Sequence, residues 1–86
     1  MIGVRPGRYG AAFHAEFKQA IRAIASGPRL QPPVEDGIAG LEIRERLIER
    51  FEQRVIFLID GRIASIVALV HASRRPGTWH GRVSTG

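Results

Sequence analysis

Residues 54–71 read Arg54-Val-Ile-Phe-Leu-Ile-Asp-Gly-Arg-Ile-Ala-Ser-Ile-Val-Ala-Leu-Val-His71, with apolar, β-branched runs on both sides of an Asp-Gly pair. An Asp-Gly pair tolerates the positive φ angles of a two-residue turn, so this segment predicts an antiparallel β-hairpin. A two-residue loop also fixes which residues lie opposite each other. If Asp60 and Gly61 form that loop, the opposed pairs are Val55 with Ile66, Phe57 with Ala64, and Phe51 with Val70.

The predicted hairpin has two different faces. The pairs just named share one apolar face. On the opposite face the same register places Arg54 beside Val67 and Arg50 beside His71, followed by Ile56, Leu58, Ile63 and Leu69. This second face is therefore expected to be apolar at the turn and cationic at the other end.

Residues 11–26 upstream of the hairpin predict an amphipathic helix. Their apolar side chains recur at helical spacing, at Phe13, Phe17, Ile21 and Ile24. Gly27-Pro28 ends the helix, and the segment that continues to Gly40 predicts a loop. The apolar stripe of the helix should cover the apolar face of the hairpin, where burial contributes roughly 25 cal/mol per Å².

These elements together predict an α+β fold in a single domain, residues 1–86. A helix at 11–26 packs on a small antiparallel sheet with strands near 41–49, 53–60 and 62–71, of which the last two form the C-terminal hairpin. Residues 1–10 are expected to be irregular, and residues 72–86 form a basic tail.

Composition excludes several classes of function. The chain has 86 residues and no cysteine, so it supports one modest core and neither a disulfide nor a thiolate metal site. Its three histidines lack the spacing of metal ligands, and no metal or cofactor is predicted. The longest apolar run, residues 63–70, is too short to cross a bilayer, and no signal segment opens the chain. We therefore expect a cytoplasmic protein with no membrane partner.

The net charge of +5 comes from twelve arginines and one lysine. Arginine binds phosphate or carboxylate through two parallel hydrogen bonds, which suits a nucleic acid or an acidic partner protein. A genome rich in arginine codons would give the same ratio. Position along the chain is more informative, because residues 72–86 carry Arg74, Arg75 and Arg82 without any acid, whereas acids and arginines alternate in residues 41–53.

Two interpretations of the cationic face remain open. Arg50 and Arg54 are either solvated strand residues paired with glutamates such as Glu45, Glu49 or Glu52, or part of an anion-binding concavity beside an apolar surface that a partner covers. His71 would lie beside these arginines and is followed by Ser73-Arg74-Arg75. It is therefore a candidate for general acid/base chemistry or for phosphate contact.

The order of these motifs resembles the RelE/ParE superfamily of type II toxin–antitoxin toxins over about residues 5–82. The family's strand and C-terminal motifs are matched at Arg50, Phe51, Arg54, Val55, Val67, Val70, His71, Arg74, Pro76 and Trp79, and Arg5-Pro6-Gly7 resembles its link into the second helix. The chain departs from the pattern at Glu52 and Gln53, where the family has Pro and Tyr, and at Phe57, where it has Tyr.

The resemblance implies a toxin neutralised by a cognate antitoxin, in a hetero-oligomer. Such toxins are mRNA endonucleases on the ribosome or non-enzymatic poisons of DNA gyrase, and whether this chain is an enzyme stays open. Carried over to this chain, the catalytic residues would be Arg54, Arg74 and His71, with Arg54 and Arg74 stabilising charge. Trp79 would stack on a base, and the remaining contacts to nucleic acid would come from Arg50, Arg75 and Arg82.

Two alternatives to an active toxin follow from the same residues. One is a basic nucleic-acid-binding module without an inhibitor, and the other is an inactive, truncated toxin remnant. Members of the family begin with a strand and a first helix that have no counterpart here. We therefore expect an unpaired sheet edge, partly uncovered Phe13, Phe17 and Val70, and an isolated chain that is weakly stable or dependent on its antitoxin.

Overall fold

A computed structural model describes residues 10–83 and contains one helix packed on a three-stranded antiparallel sheet. Helix α1 spans Gly10–Ser26, and strands β1, β2 and β3 span Glu42–Ile48, Gln53–Asp60 and Ile63–His71. The strands lie side by side in chain order. The predicted α+β fold is confirmed, and each predicted element lies within two residues of its observed position. The predicted irregular N-terminus and the Arg5-Pro6-Gly7 link lie outside the described residues.

The helix covers one face of the sheet as its apolar stripe predicts. Ala20 and Ile24 of α1 are buried against Val55 and Phe57 of β2. The same cluster includes Ile48 and Ile59 and is flanked by the half-buried Phe13, Phe17, Ile21, Phe51 and Ala64. The ring of Phe13 also meets Phe51 edge-on, with centroids 5.2 Å apart, which ties the start of the helix to the β1–β2 connection.

The opposite face of the sheet is covered by the chain itself. Ile43, Ile56, Ala68 and Trp79 form a second buried cluster, and the loop after the helix and the C-terminal segment complete it with Val34, Ile38, Leu41 and Val83. Trp79 is only 1% exposed. The apolar second face therefore needs no partner over this area, since residues 34–41 and 79–83 already exclude water from it.

The hairpin register differs from the predicted one. Gly61 and Arg62 form the turn, Asp60 pairs with Ile63, and Phe57 therefore lies opposite Ile66. Gly61 has φ +62° and no other turn residue has a positive φ, which is the pattern of a turn with glycine at its first central position. The predicted loop at Asp60-Gly61 and every residue pair derived from it are wrong.

A β-bulge shifts the register again farther along the hairpin. Ile66 lies opposite Phe57 but Ala68 lies opposite Ile56, which leaves Val67 as the extra residue. Beyond the bulge, Arg54 pairs with Val70 rather than Val67, and Gln53 pairs with His71. Further predictions corrected here are the pairings Val55–Ile66, Phe51–Val70 and Arg50–His71.

The helix leaves part of β3 uncovered. Ile63, Ile66 and Leu69 are 66%, 44% and 37% exposed, and among residues 10–83 no strand pairs with the outer edge of β3. The outer edge of β1, in contrast, is partly occupied by the loop, where the main-chain nitrogen of Val34 donates to the Ile43 oxygen at 3.2 Å. No helix within residues 10–83 has the length and apolar character needed to cross a membrane.

Candidate functional site

The end of strand β3 and the C-terminal segment enclose a basic cleft of about 330 Å³. Its polar lining consists of Gln53, His71, Arg74, Thr78 and Arg82, and its apolar lining of Leu69, Val70 and Trp79. None of these described lining residues is acidic. Four of the residues predicted for the site from sequence thus meet around one cavity that carries two guanidinium charges: His71, Arg74, Trp79 and Arg82.

The cleft forms because the chain turns sharply after β3 and is then fixed. The main-chain nitrogen of Ala72 donates to the Glu52 oxygen at 2.7 Å, which extends the hairpin pairing by one residue, and that of Arg74 donates to the His71 oxygen at 3.0 Å. The chain then returns to bury Trp79 in the second core cluster. Arg74 before this tryptophan and Arg82 after it are both exposed.

His71 makes a local contact with Ser73. The Ser73 main-chain nitrogen donates to His71 Nδ1 at 3.1 Å, and Ser73 Oγ lies 2.8 Å from the same nitrogen. Nδ1 therefore faces the turn, and it is engaged before any ligand arrives. His71 and Arg74 line the same cleft, whereas Arg50 does not.

Asp36 fixes the C-terminal segment to the sheet. Its Oδ2 accepts hydrogen bonds from the Gly77 main-chain nitrogen and from Trp79 Nε1, each at 2.8 Å, and its main-chain oxygen accepts one from His80 Nε2 at 2.6 Å. Burial opposes the ionisation of Asp36. The hydrogen bonds from Arg54, Gly77 and Trp79 outweigh it and hold the pKa of this carboxyl well below its usual range.

Arg54 is engaged by two carboxylates. Its Nε donates to Glu45 Oε1 at 2.6 Å and its Nη2 to Asp36 Oδ1 at 2.8 Å, and its side chain is only 14% exposed. Burial opposes the charge of Arg54, but the hydrogen bonds from its guanidinium to Asp36 and Glu45 prevail and raise its pKa. Of the first alternative, only the pairing of Arg54 with Glu45 is confirmed. The expectation that Arg54 lies exposed is wrong.

The environment of Arg54 also differs from that of the basic cleft. A second cavity of about 400 Å³ is lined by Arg54 and Arg74 together with Glu35, Asp36 and Glu45, and also by Ala72 and Pro76. Three carboxylates against two arginines make this cavity unfavourable for a phosphate group. Arg74 belongs to both cavities, so its side chain lies on the wall between them.

The remaining predicted residues lie elsewhere or are covered. Arg50 is in the β1–β2 connection, where its guanidinium lies 3.9 Å from Glu16 and 5.4 Å from the centre of the Phe51 ring. Arg75 is exposed and lines neither the basic cleft nor the second cavity. Trp79 lines the basic cleft, but its burial leaves no ring face on which a base could stack. The prediction of a stacking Trp79 is therefore wrong for this conformation.

Sequence reasoning missed Asp36 as a functional position. Asp36 falls within the segment that the sequence predicts as a loop, and nothing local indicates that its carboxylate reaches residues 77 and 79. No signal in the sequence distinguishes Asp36 from its neighbour Glu35. Within residues 10–83, no group of three or more His, Cys, Asp or Glu side chains is arranged to hold a metal ion.

Comparisons of the chain with protein-family models, with curated proteins and with solved structures find no match.

Proposed function

We propose that this chain inhibits cell growth as a toxin of the RelE/ParE type and that it acts by binding nucleic acid through the basic cleft. The supporting observation is the meeting of His71, Arg74 and Arg82 around a cavity with no acidic lining. Guanidinium groups recognise phosphate by charge and by paired hydrogen bonds. A cognate antitoxin would be its inhibitor, and DNA bound to gyrase or mRNA on the ribosome its target.

Binding fits the geometry better than RNA cleavage does. Cleavage needs free cationic groups around the scissile phosphate and a group that moves protons. Arg54, which the resemblance would make a charge-stabilising residue, is neutralised by Asp36 and Glu45. These contacts favour the gyrase-directed, non-enzymatic form of the proposal.

Induced expression in a bacterial host tests the proposal. We expect growth arrest with the natural chain and its loss in the double variant Arg74→Ala/Arg82→Ala. Arg62→Ala is the matched control, since it removes an exposed arginine from the hairpin turn, away from the cleft. Persistent arrest in a folded double variant would reject the cleft as the site, and absence of arrest with the natural chain would reject the toxin assignment.

Two assays in solution separate the targets. Inhibition of DNA supercoiling by purified gyrase indicates the gyrase-directed form, whereas cleavage of mRNA in a cell-free translation reaction indicates the endonuclease. In both assays the Arg74→Ala/Arg82→Ala variant should be inactive and the Arg62→Ala variant active. Cleavage of mRNA by the natural chain would contradict the binding mechanism.

A plain nucleic-acid-binding module is the second candidate, because two arginines in a cleft suffice for phosphate binding without a toxin's target. If the cleft contacts phosphates, the logarithm of affinity should fall with the logarithm of salt concentration, by about 0.9 per phosphate contact on duplex DNA. The double variant should lower this slope by about 1.8 for two lost contacts. A salt slope lowered in this way, in a chain whose expression causes no growth arrest, would favour the nucleic-acid-binding module over the toxin.

A further inference from the structure

The ring of His71 has one nitrogen whose state is fixed by the main chain. A main-chain amide always carries its hydrogen, so the Ser73 amide can only donate to His71 Nδ1, 3.1 Å away. Nδ1 must then supply the lone pair. Ser73 Oγ, 2.8 Å from the same atom, must also act as a donor. The hydrogen of the uncharged ring consequently resides on Nε2.

The other nitrogen, Nε2, has no hydrogen-bond partner among the described residues. His71 is half-buried and lines the cleft together with Gln53, Arg74 and Arg82. With Nδ1 engaged by the turn, Nε2 is the ring nitrogen left for a ligand. It offers a hydrogen, and the two neighbouring guanidinium groups also offer only hydrogens. A ligand that contacts these three groups together must present acceptors to them and is favoured by negative charge.

We propose that His71 binds a phosphate group in the cleft as an uncharged hydrogen-bond donor through Nε2. The inference rests on the proposed phosphate-binding function of the cleft and assigns one atom and one protonation state within it. Arg74 and Arg82 supply the positive charge, whereas His71 orients the phosphate through one hydrogen bond and adds no charge. In this arrangement His71 is not a general base toward the cleft, because the nitrogen with the lone pair faces Ser73.

The protonation state is measurable without any variant. Long-range nitrogen–proton NMR spectra of the histidine-labelled chain should show His71 Nδ1 as the nitrogen without hydrogen and Nε2 as the protonated one. Addition of inorganic phosphate should shift the Nε2 resonance more than the Nδ1 resonance. A hydrogen on Nδ1, or His71 resonances that do not respond to phosphate, would overturn the proposal.

Two variants separate the two nitrogens. The Asn side chain in His71→Asn can accept from the Ser73 amide near the position of Nδ1 but offers no donor at the position of Nε2. The Gln side chain in His71→Gln reaches the position of Nε2. For a short fluorescent single-stranded RNA and a duplex DNA, we expect binding at least about tenfold weaker with Asn, because it loses a hydrogen bond to a charged group, and a change within about threefold with Gln.

Salt dependence distinguishes an uncharged donor from a charged one. Both His71 variants should retain the salt slope of the natural chain, whereas Arg74→Ala should lower it by about 0.9 on duplex DNA. A slope lowered equally by His71→Asn, or equal affinity losses for Asn and Gln, would refute the inference. If phosphate and RNA bind as expected but expression causes no growth arrest, the toxin assignment fails while the assignment of Nε2 stands.

Discussion

Replacement of Asp36 by asparagine tests whether one carboxylate holds the C-terminal segment on the sheet. Asp36 accepts hydrogen bonds from Arg54, from the Gly77 amide and from the indole of Trp79, and its side chain is only 9% exposed. Asparagine keeps the size of the side chain but exchanges one oxygen for an NH2 group. The NH2 group cannot accept the hydrogen bonds that Asp36 accepts. If it replaces the oxygen that faces Arg54, Glu45 is the one carboxylate partner left to that arginine.

The expected cost follows from the burial of the pair. Removal of one partner from a buried ion pair costs about 3–5 kcal/mol, and the lower end applies because Glu45 still neutralises Arg54. An 86-residue domain has a total stability of roughly 4–13 kcal/mol at 0.05–0.15 kcal/mol per residue. At about 4–8 °C per kcal/mol, a loss of about 3 kcal/mol lowers the melting temperature by about 12–24 °C.

Urea unfolding followed by tryptophan fluorescence measures this loss directly, because Trp79 is the only tryptophan and is buried beside Asp36. Glu42→Gln is the matched control. It also removes one negative charge from ion pairs, but one partner, Arg29, is exposed and the other, Arg44, keeps its hydrogen bond to the Gln31 main-chain oxygen, so little change is expected. Equal stability of Asp36→Asn and the natural chain would refute the reasoning that this network stabilises the fold.

Three further results are expected. The unfolding free energy of the natural chain should fall as the pH drops below about 4. The reason is that the Asp36 carboxyl, whose pKa is depressed in the folded state, contributes stability above its unfolded pKa and loses that contribution on protonation. Urea titrations at a series of pH values should show a weaker fall for Asp36→Asn. Trp79→Phe should lower the free energy of unfolding by about 2–3 kcal/mol, because it removes a hydrogen bond to a charged group and leaves a gap in the core. Unfolding followed by circular dichroism measures this loss, and an unchanged stability would argue against the Trp79–Asp36 contact. Gly61→Ala should cost about 1 kcal/mol in thermal unfolding because Gly61 has φ +62°, whereas Gly81→Ala should be tolerated; equal effects would contradict the observed turn.

The secondary structure was predictable because each element carries its own period. The helical spacing of Phe13 and Phe17, and the apolar runs on both sides of Gly61, depend on local sequence alone. The register was not predictable from the same runs. Since β2 is apolar on both faces, from Val55 to Ile59, a shift of one residue leaves the hydrophobic pattern nearly unchanged.

The site was predicted in part for a similar reason. His71, Arg74 and Arg82 are close in sequence and follow a strand, so their meeting around one cleft depends on short connections. The state of Arg54 depends instead on Asp36, which lies 18 residues away in a loop without periodicity. Long-range partners of this kind are not visible in a single sequence, because any of the eight acids could have supplied the carboxylate.

The extra residue Val67 divides strand β3 into two halves: even-numbered side chains face the helix before it, and odd-numbered side chains face the helix after it. Ala64 and Ile66 lie on the helix side before it, and Leu69 and His71 lie on that side after it, as their partners in β2 require. Loss of Val67 alone would therefore close the bulge and leave Ala68, Leu69 and His71 opposite the same residues of β2, on the same faces of the sheet. The length of β3 can thus change by this one residue without a change of face, whereas loss of a second residue would move His71 to the other face of the sheet.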